Sequence, residues 1–268
     1  MFDLTDKVAI VTGGAGALGG AMSMGLAKAG AKVAILSRTA AKVEAQVQKI
    51  EDAGYQSLAL VSDVLDEAQL EAAKNKILAH WGKIDLLINC AGGNRRGATI
   101  MPEQTFFDLS VEDLDQVNAL NMKGTVLPTL VFGQEMAKQK QGCIINISSM
   151  AAQSPLTRVF GYSAAKASVD NMTKWLAVEM AQKYGEGIRV NAIAPGFFIG
   201  EQNRSLLLNE DGSYTGRAQT IVNNTPMGRF GEPEELCGVV NWLCSDAASF
   251  VTGTIINVDG GFGAFSGV

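Results

Sequence analysis

Histidine is nearly absent: among the 268 residues only His80 occurs, ending an amphipathic helical pattern beside Trp81. A cation at a helix C-terminus suits the helix dipole, so neither a histidine-based triad nor a multi-histidine metal site is expected. The four cysteines, Cys90, Cys143, Cys237 and Cys244, form no Cys-x-x-Cys spacing. Cys237 and Cys244 fall on one expected helix, roughly 10 Å apart at about 1.5 Å rise per residue, beyond disulfide reach. Reduced, mostly buried thiols in a cytoplasmic protein are expected. No apolar run reaches about 18 residues, so no membrane span is expected. The start, Met1 to Lys7, lacks a basic region followed by an apolar one, and no signal peptide is expected. The net charge is −5 with no basic stripe, so nucleic acid is not an expected partner.

What is abundant is apolar residues, at 47%, and glycine, at 30. A chain of this length fits one large α/β domain spanning residues 1–268. The glycines cluster at strand-to-helix turns rather than in low-complexity runs. Apolar runs at Lys7–Val11, Lys32–Leu36, Tyr55–Val61, Ile84–Ile88, Ile144–Ile147, Ile188–Ile193 and Thr254–Val258 read as strands. Helical patterns separate them, through Lys28, from Thr39 to about Ala53, and from Asp66 to about Trp81. Ser110 opens a helix with a capping-box-like start, and a longer one carries Asn121 to about Lys140, with an adjustment expected at Leu127-Pro128. Another runs from Gly161 to Tyr184 and one starts at Pro233. Short alternation of strand and helix predicts a doubly wound parallel sheet.

The richest stretch is Gly142 to Lys166. Ser148-Ser149 ends a buried strand, and a helix then carries Tyr162 and Lys166, four apart and on one face. A phenol beside an ammonium is a proton-transfer device: the cation favours phenolate and is expected to lower the tyrosine pKa from about 10. Ser149 precedes the tyrosine by thirteen residues, at the carboxyl edge of the sheet where ligands gather.

Thr12 to Gly19 follows the first strand directly and opens a helix, which presents backbone N–H groups to a pyrophosphate. Its candidate contacts are Gly13, Ala15, Gly16, Ala17, Leu18 and Gly19. The second strand ends in Ser37-Arg38 with no acid. An arginine there accommodates a ribose 2′-phosphate, so NADP(H) is favoured and NAD(H) is the alternative. Asp63, with Val64, is placed to accept from an adenine amino group. Residues 197–225 are long for a connection and lie past a strand's carboxyl end, as a substrate lid does. The apolar tail after Gly261 is expected to dock on a neighbouring subunit.

These motifs together resemble the short-chain dehydrogenase/reductase family over essentially the whole chain: the Thr12–Gly19 turn, Asp63-Val64, Asn89-Cys90-Ala91-Gly92, Asn121, Ser149, Tyr162 with Lys166, Pro195-Gly196 and the final Val-Asp-Gly-Gly. The resemblance implies a Rossmann-type fold of seven parallel strands, usually a tetramer. It implies cofactor contacts from Asn89, Ala91, Gly92, Pro195 and Gly196 as well, with Tyr162 as general acid or base and Lys166 on the nicotinamide ribose. It also implies that Ser149 holds the reacting oxygen and that Asn121 holds a water linking Lys166 to solvent. Ala17 stands where the family usually has glycine, and Gly200 where it commonly has threonine.

Three stretches resemble the D-mannonate oxidoreductase (fructuronate reductase) branch: residues 91–99, 195–204 and 259–268. Arg95, Arg96, Arg158 and Arg204 fall in segments expected around the pocket and suit a carboxylate. Asn94, Gln202 and Asn203 suit hydroxyls. A sugar acid, D-mannonate or D-fructuronate, is the expected substrate. The alternatives are an enzyme like gluconate 5-dehydrogenase, one like 3-oxoacyl-carrier-protein reductase, or a non-catalytic cofactor sensor.

Overall fold

The computed structural model describes residues 2–200 and 203–267; Gln202 lies outside them. Seven strands form one sheet: β1 (Val8–Thr12), β2 (Lys32–Ser37), β3 (Ser57–Val61), β4 (Leu86–Asn89), β5 (Gly142–Ile147), β6 (Ile188–Pro195) and β7 (Ile255–Val258). All neighbours pair in parallel, in the order β3-β2-β1-β4-β5-β6-β7. The expected seven-stranded parallel Rossmann-type sheet is therefore present. Its third and fourth strands begin two residues later than Tyr55 and Ile84.

Side-chain alternation along each strand feeds two apolar layers. Ala9, Val11, Val33, Ile35, Cys143 and Ile145 face one layer. That layer is filled by Met22 and Leu26 of α1 (Ala17–Lys28), Val43 and Ile50 of α2 (Ala40–Asp52), and residues 240–244 near the C-terminus. Val8, Ile10, Ala34, Leu36 and Ile144 face the other. There they meet Leu70 and Ile77 of α3 (Glu67–Trp81). The strand order reverses between β1 and β4, whose last residues, Thr12 and Asn89, are register partners. A reversal of this kind opens a crevice at the carboxyl edge.

Local chemistry sets several boundaries. Asp66 caps α3 by accepting from the Gln69 N–H at 3.0 Å. Ser110 caps α4 (Val111–Asn118) by accepting from Asp113 N–H at 3.2 Å. Thr39 holds the cap position of α2, but its side chain makes no capping bond. The long helix expected through Asn121 is divided. A π-helical turn, Ala119–Lys123, precedes α5 (Gly124–Gln139), which contains Pro128. The adjustment expected at Pro128 thus sits one turn upstream. α6 (Phe160–Tyr184) is continuous over 25 residues.

Past β6 the chain forms α7 (Arg204–Leu207) and α8 (Gly216–Asn223), whose Leu207, Ala218 and Ile221 pack with Phe230 in a small cluster of their own. α9 (Cys237–Cys244) returns to the main layer. In the tail, Phe262 packs edge-on against Phe197 of the same chain, ring centroids 5.1 Å apart. The tail expected on a neighbour therefore begins by packing on its own chain.

Candidate active site

At the carboxyl end of β5, Lys166 is 4% exposed and donates from Nζ to the Ile147 carbonyl at 2.7 Å. Nζ lies 5.7 Å from the centre of the Tyr162 ring. Ser149, half-buried, stands close enough to the Tyr162 phenol to favour its ionised form. Ser149, Tyr162 and Lys166 thus meet at one point.

The electrostatics differ from the expected lowering of the phenol. Burial pushes Tyr162 above its ordinary 10.0; the Ser149 hydroxyl offsets part of this and the Cys90 charge adds to it. Lys166 is not among the causes. Its own value is pulled down to about 8 by burial, against the opposing charges of Cys90 and Asp170. Burial disfavours either charged form, and here it outweighs the pairing.

Asn121 is fully buried, and its side chain pairs with both backbone groups of Gly93 as a neighbouring strand would. Its Oδ1 accepts from Gly93 N–H at 3.2 Å, and Nδ2 donates to the carbonyls of Gly93 (2.7 Å) and Val117 (2.8 Å). The side chain thus spends both Nδ2 protons, and one lone pair of Oδ1, on the protein. It ties the loop after β4 to the π turn. Gly92 lies between Asn121 and the lysine: a Cβ there would stand 2.7 Å from Asn121 Oδ1 and 3.2 Å from Lys166 Nζ.

The glycine-rich turn fits a dinucleotide pyrophosphate. A Cβ on Gly13 would stand 3.0 Å from the Ala91 backbone, and one on Gly19 would strike the Gly13 carbonyl, so the turn closes tightly on the end of β4. No side chain caps α1 at Gly16 and no acid sits in its first turn, which leaves its amides for an anion. Ala15 and Leu18 pack toward the apolar layer, whereas Ala17 is exposed. A Cβ on Gly200 would stand 3.7 Å from the Ala17 methyl. The two departures from the family pattern are therefore neighbours across the crevice.

Arg38 follows Ser37, with its side chain 66% exposed and its guanidinium 3.9 Å from the Asp63 carboxylate. The other Asp63 oxygen accepts from Leu65 N–H at 2.9 Å. Val64 is buried. Gly196 donates to the Val258 carbonyl at 3.0 Å, which joins Pro195-Gly196 to the end of β7.

Asn89 is tied to its neighbours through its amide nitrogen. Its buried Nδ2 donates to Thr129 Oγ1 at 3.0 Å and Asn146 Oδ1 at 2.9 Å, joining β4 to α5 and β5, while its buried Oδ1 accepts no hydrogen bond.

The proposed substrate residues separate. Asn94 is exposed and donates to Thr99 Oγ1 at 2.9 Å. Asn203 is consumed by its own turn, accepting from Gly200 N–H and donating to the Phe198 carbonyl, both at 2.8 Å. Arg95, Arg96 and Arg204 are exposed. Arg158 is half-buried, with left-handed backbone at φ 75°, and its carbonyl accepts from Ile100 N–H at 2.9 Å. A cavity of about 390 Å³ lies beside Phe197, Phe198, Met227 and the 257–261 turn, and none of Ser149, Tyr162 or Lys166 lines it.

Thr12 and Cys90 were named from sequence only as parts of motifs, and Arg217 was not named at all. Cys90 stands close enough to feel Lys166, and burial pushes its thiol up to about 11. Thr12 Oγ1 accepts from the N–H groups of Cys90 and Ala91, each at 3.1 Å, fixing the turn after β4. Arg217 of α8 feels the charge of Arg158. The signal for Arg217 was a cation two positions after a capping threonine. Among the described residues no three His, Cys, Asp or Glu side chains are grouped to hold a metal.

A family profile described as Enoyl-(Acyl carrier protein) reductase matches residues 13–263. The chain is 49% identical over 275 residues to an uncharacterized oxidoreductase, UxuB, of Bacillus subtilis, covering 99% of this chain and 98% of that one. A provisionally named D-mannonate oxidoreductase of Haemophilus influenza, crystallised with NAD, superimposes with a TM-score of 0.92 at 41% identity, over 99% of this chain and 98% of that one. A gluconate 5-dehydrogenase of Burkholderia cenocepacia, in complex with NADP and tartrate, gives 0.87 at 32% identity, over 98% and 97%.

Proposed function

The chain belongs to the short-chain dehydrogenase/reductase family, and we propose that it is an NADP-linked enzyme interconverting D-mannonate and D-fructuronate. It is an NAD(P)-dependent oxidoreductase acting on CH–OH groups. The observation that carries the chemistry is the meeting of Ser149, Tyr162 and Lys166 at the carboxyl end of β5. The bound nicotinamide supplies or accepts the hydride.

The chain does the rest. Tyr162 gives its proton to the carbonyl oxygen in reduction and takes one from the alcohol in oxidation. Ser149, close to that phenol, donates to the same oxygen and stabilises its developing charge. Lys166, held by the Ile147 carbonyl, places an ammonium beside the phenol and the ribose site. Asn121 positions Gly92 and Gly93 against the lysine. The cofactor is held by the 13–19 turn, Ser37 and Arg38, Asp63 with Val64, Ala91 and Gly92, and Pro195-Gly196. The absence of an acid after β2 and the exposed guanidinium of Arg38 support NADP.

The arginines around the crevice support a sugar acid, as do the names of the relatives. Residues 197–225 act as the lid, with α7, α8 and their separate apolar cluster moving as a unit. The assembly is a homotetramer, supported by exposed Leu130 on α5 and Trp175 and Val178 on α6. The second reading, a gluconate 5-dehydrogenase, is favoured by the tartrate- and NADP-bound relative.

The test follows NADPH and NADH oxidation with D-fructuronate, 5-ketogluconate and an acetoacetyl thioester. NADPH turnover with fructuronate alone is expected, falling about 10²–10⁴-fold in Tyr162→Phe. Turnover with only another substrate sinks the mannonate reading. Arg38→Ala is expected to weaken NADPH about 10- to 100-fold and to leave NADH unchanged; a wild-type preference for NADH overturns the cofactor assignment.

A further inference from the structure

We propose that Asp170 is a positioning residue for the reaction: its carboxylate, one turn behind Lys166 on α6, is the fixed negative charge that holds the lysine ammonium beside Tyr162. The inference rests on the proton-transfer reading above and deepens it. Asp170 belongs to none of the motifs read from sequence.

Geometry places the carboxylate there. Tyr162, Lys166 and Asp170 follow one another at intervals of four along the continuous helix α6. Such residues share a face, with successive Cβ atoms about 5–6 Å apart. Two hydrogen bonds tie this face to the end of β5, one on either side of Asp170. Lys166 Nζ donates to the Ile147 carbonyl at 2.7 Å, and Asn146 Nδ2 donates to Thr173 Oγ1 at 2.9 Å. Between those ties Asp170 is only 8% exposed. Its Oδ1 is buried and accepts no hydrogen bond among the described residues. The hydroxyl of Ser148, which follows Ile147, is likewise buried without a partner, although its N–H donates to the Ile193 carbonyl at 2.7 Å.

A carboxylate in such a place is costly, and an aliphatic side chain would fill the same inward position without that cost. What the site gains is a charge. Burial pulls Lys166 down to about 8, and two negative groups, Cys90 and Asp170, oppose the fall. Cys90 is itself pushed up to about 11 by burial, so it is a neutral thiol wherever the lysine is charged. Asp170 is therefore the anion that remains. Burial raises its carboxyl, and the Ser148 hydroxyl, the Lys174 cation, the Gln153 side chain and Lys166 oppose that rise. Tyr162 is neutral in the form that gives a proton. The charged residues of α4, the π turn, α5 and β6, which also pack on α6, are not among the charges acting on Lys166 or Asp170.

The experiment uses the full-length enzyme saturated with NADPH. It compares wild type with Asp170→Asn, which keeps the shape and removes the charge, and with Asp170→Glu, which returns the charge. Asp170→Val, which fills the position without charge, takes the place of the asparagine variant if that one does not fold. The kcat/KM for reduction of D-fructuronate is followed with pH. The fall expected above about pH 8 in wild type should move down by about one pH unit in Asp170→Asn. The variant should then be about tenfold slower at about pH 9 and within about twofold of wild type at about pH 6. The loss should fall on kcat, with KM for the substrate unchanged, and Asp170→Glu should restore part of the profile. A second readout needs no turnover. In protein labelled with carbon-13 at the lysine ε position, the resonance missing from Lys166→Arg should titrate about one unit lower in Asp170→Asn.

A profile in Asp170→Asn that falls at the same pH as wild type overturns the proposal. So does an equal loss at every pH with a lower melting temperature, which would assign Asp170 to packing. The two readings fail separately. No turnover of any carbonyl substrate, with the lysine titration still lowered, removes the enzyme reading and leaves the counter-charge standing. Turnover with an unmoved lysine titration does the reverse.

Discussion

Lys166 is held out of water against the end of β5, and its titration decides how pH enters the chemistry. Its folded value, about 8, lies below the ordinary 10.5. Between those values the unfolded chain binds more protons than the folded one, so this residue's contribution to stability rises from pH 8 to 10.5. At neutral pH its burial costs on the order of 3 kcal/mol. Carbonyl reduction needs a protonated Tyr162 and the lysine cation. The kcat/KM for reduction is therefore expected to be level below about pH 8 and to fall above it, measured with saturating cofactor. A profile level to pH 10 would show that the cation is not required. Gly92 is the neighbour with least room: Gly92→Ala puts a methyl 2.7 Å from Asn121 Oδ1 and 3.2 Å from Lys166 Nζ. The expected result is at least about tenfold lower kcat with an unchanged circular dichroism spectrum, since small displacements at a reacting centre are costly.

Hydrogen bonds through the sheet join the elements that carry the site. Thr125 Oγ1 donates to the Asn121 carbonyl and Thr129 Oγ1 to the Thr125 carbonyl, both at 2.8 Å. Asn89 links Thr129 to Asn146, and Asn146 Nδ2 donates to Thr173 Oγ1 of α6 at 2.9 Å. The π turn, β4, β5 and the helix bearing Tyr162 thus share one buried polar chain. Asn146 is its centre and is fully buried. Asn146→Ala is expected to cost about 2–4 kcal/mol in urea denaturation, from a cavity and a lost pair of buried bonds. A cost under about 0.5 kcal/mol, the scale of a surface change, would mean that the chain is dispensable.

At the scale of the whole molecule, Leu130, Trp175 and Val178 are 57%, 63% and 56% exposed on α5 and α6, the two helices that flank the catalytic edge. Burial of such side chains favours assembly by roughly 1.5–3 kcal/mol each. Light scattering of the wild type should give a mass near four copies of the 28.2 kDa chain, and Trp175→Glu should lower it. A monomeric wild type would remove the tetramer. No helix among the described residues is long and apolar enough to cross a membrane.

The parallel sheet and the Tyr162–Lys166 pair were legible from sequence because both are written in local periodicity. Apolar runs buried on two faces have no other stable arrangement when helices alternate with them, and a spacing of four places two side chains on one helical face. The glycine turn was legible because its chemistry is backbone chemistry. Side-chain allegiance was not. Asn89, Asn121 and Asn203 each have groups able to serve a ligand, yet each pairs its amide nitrogen with the protein, and the partner peptides or strands arrive from up to 57 residues away. The direction of the Tyr162 shift also needed the fold, because desolvation depends on everything packed around the phenol.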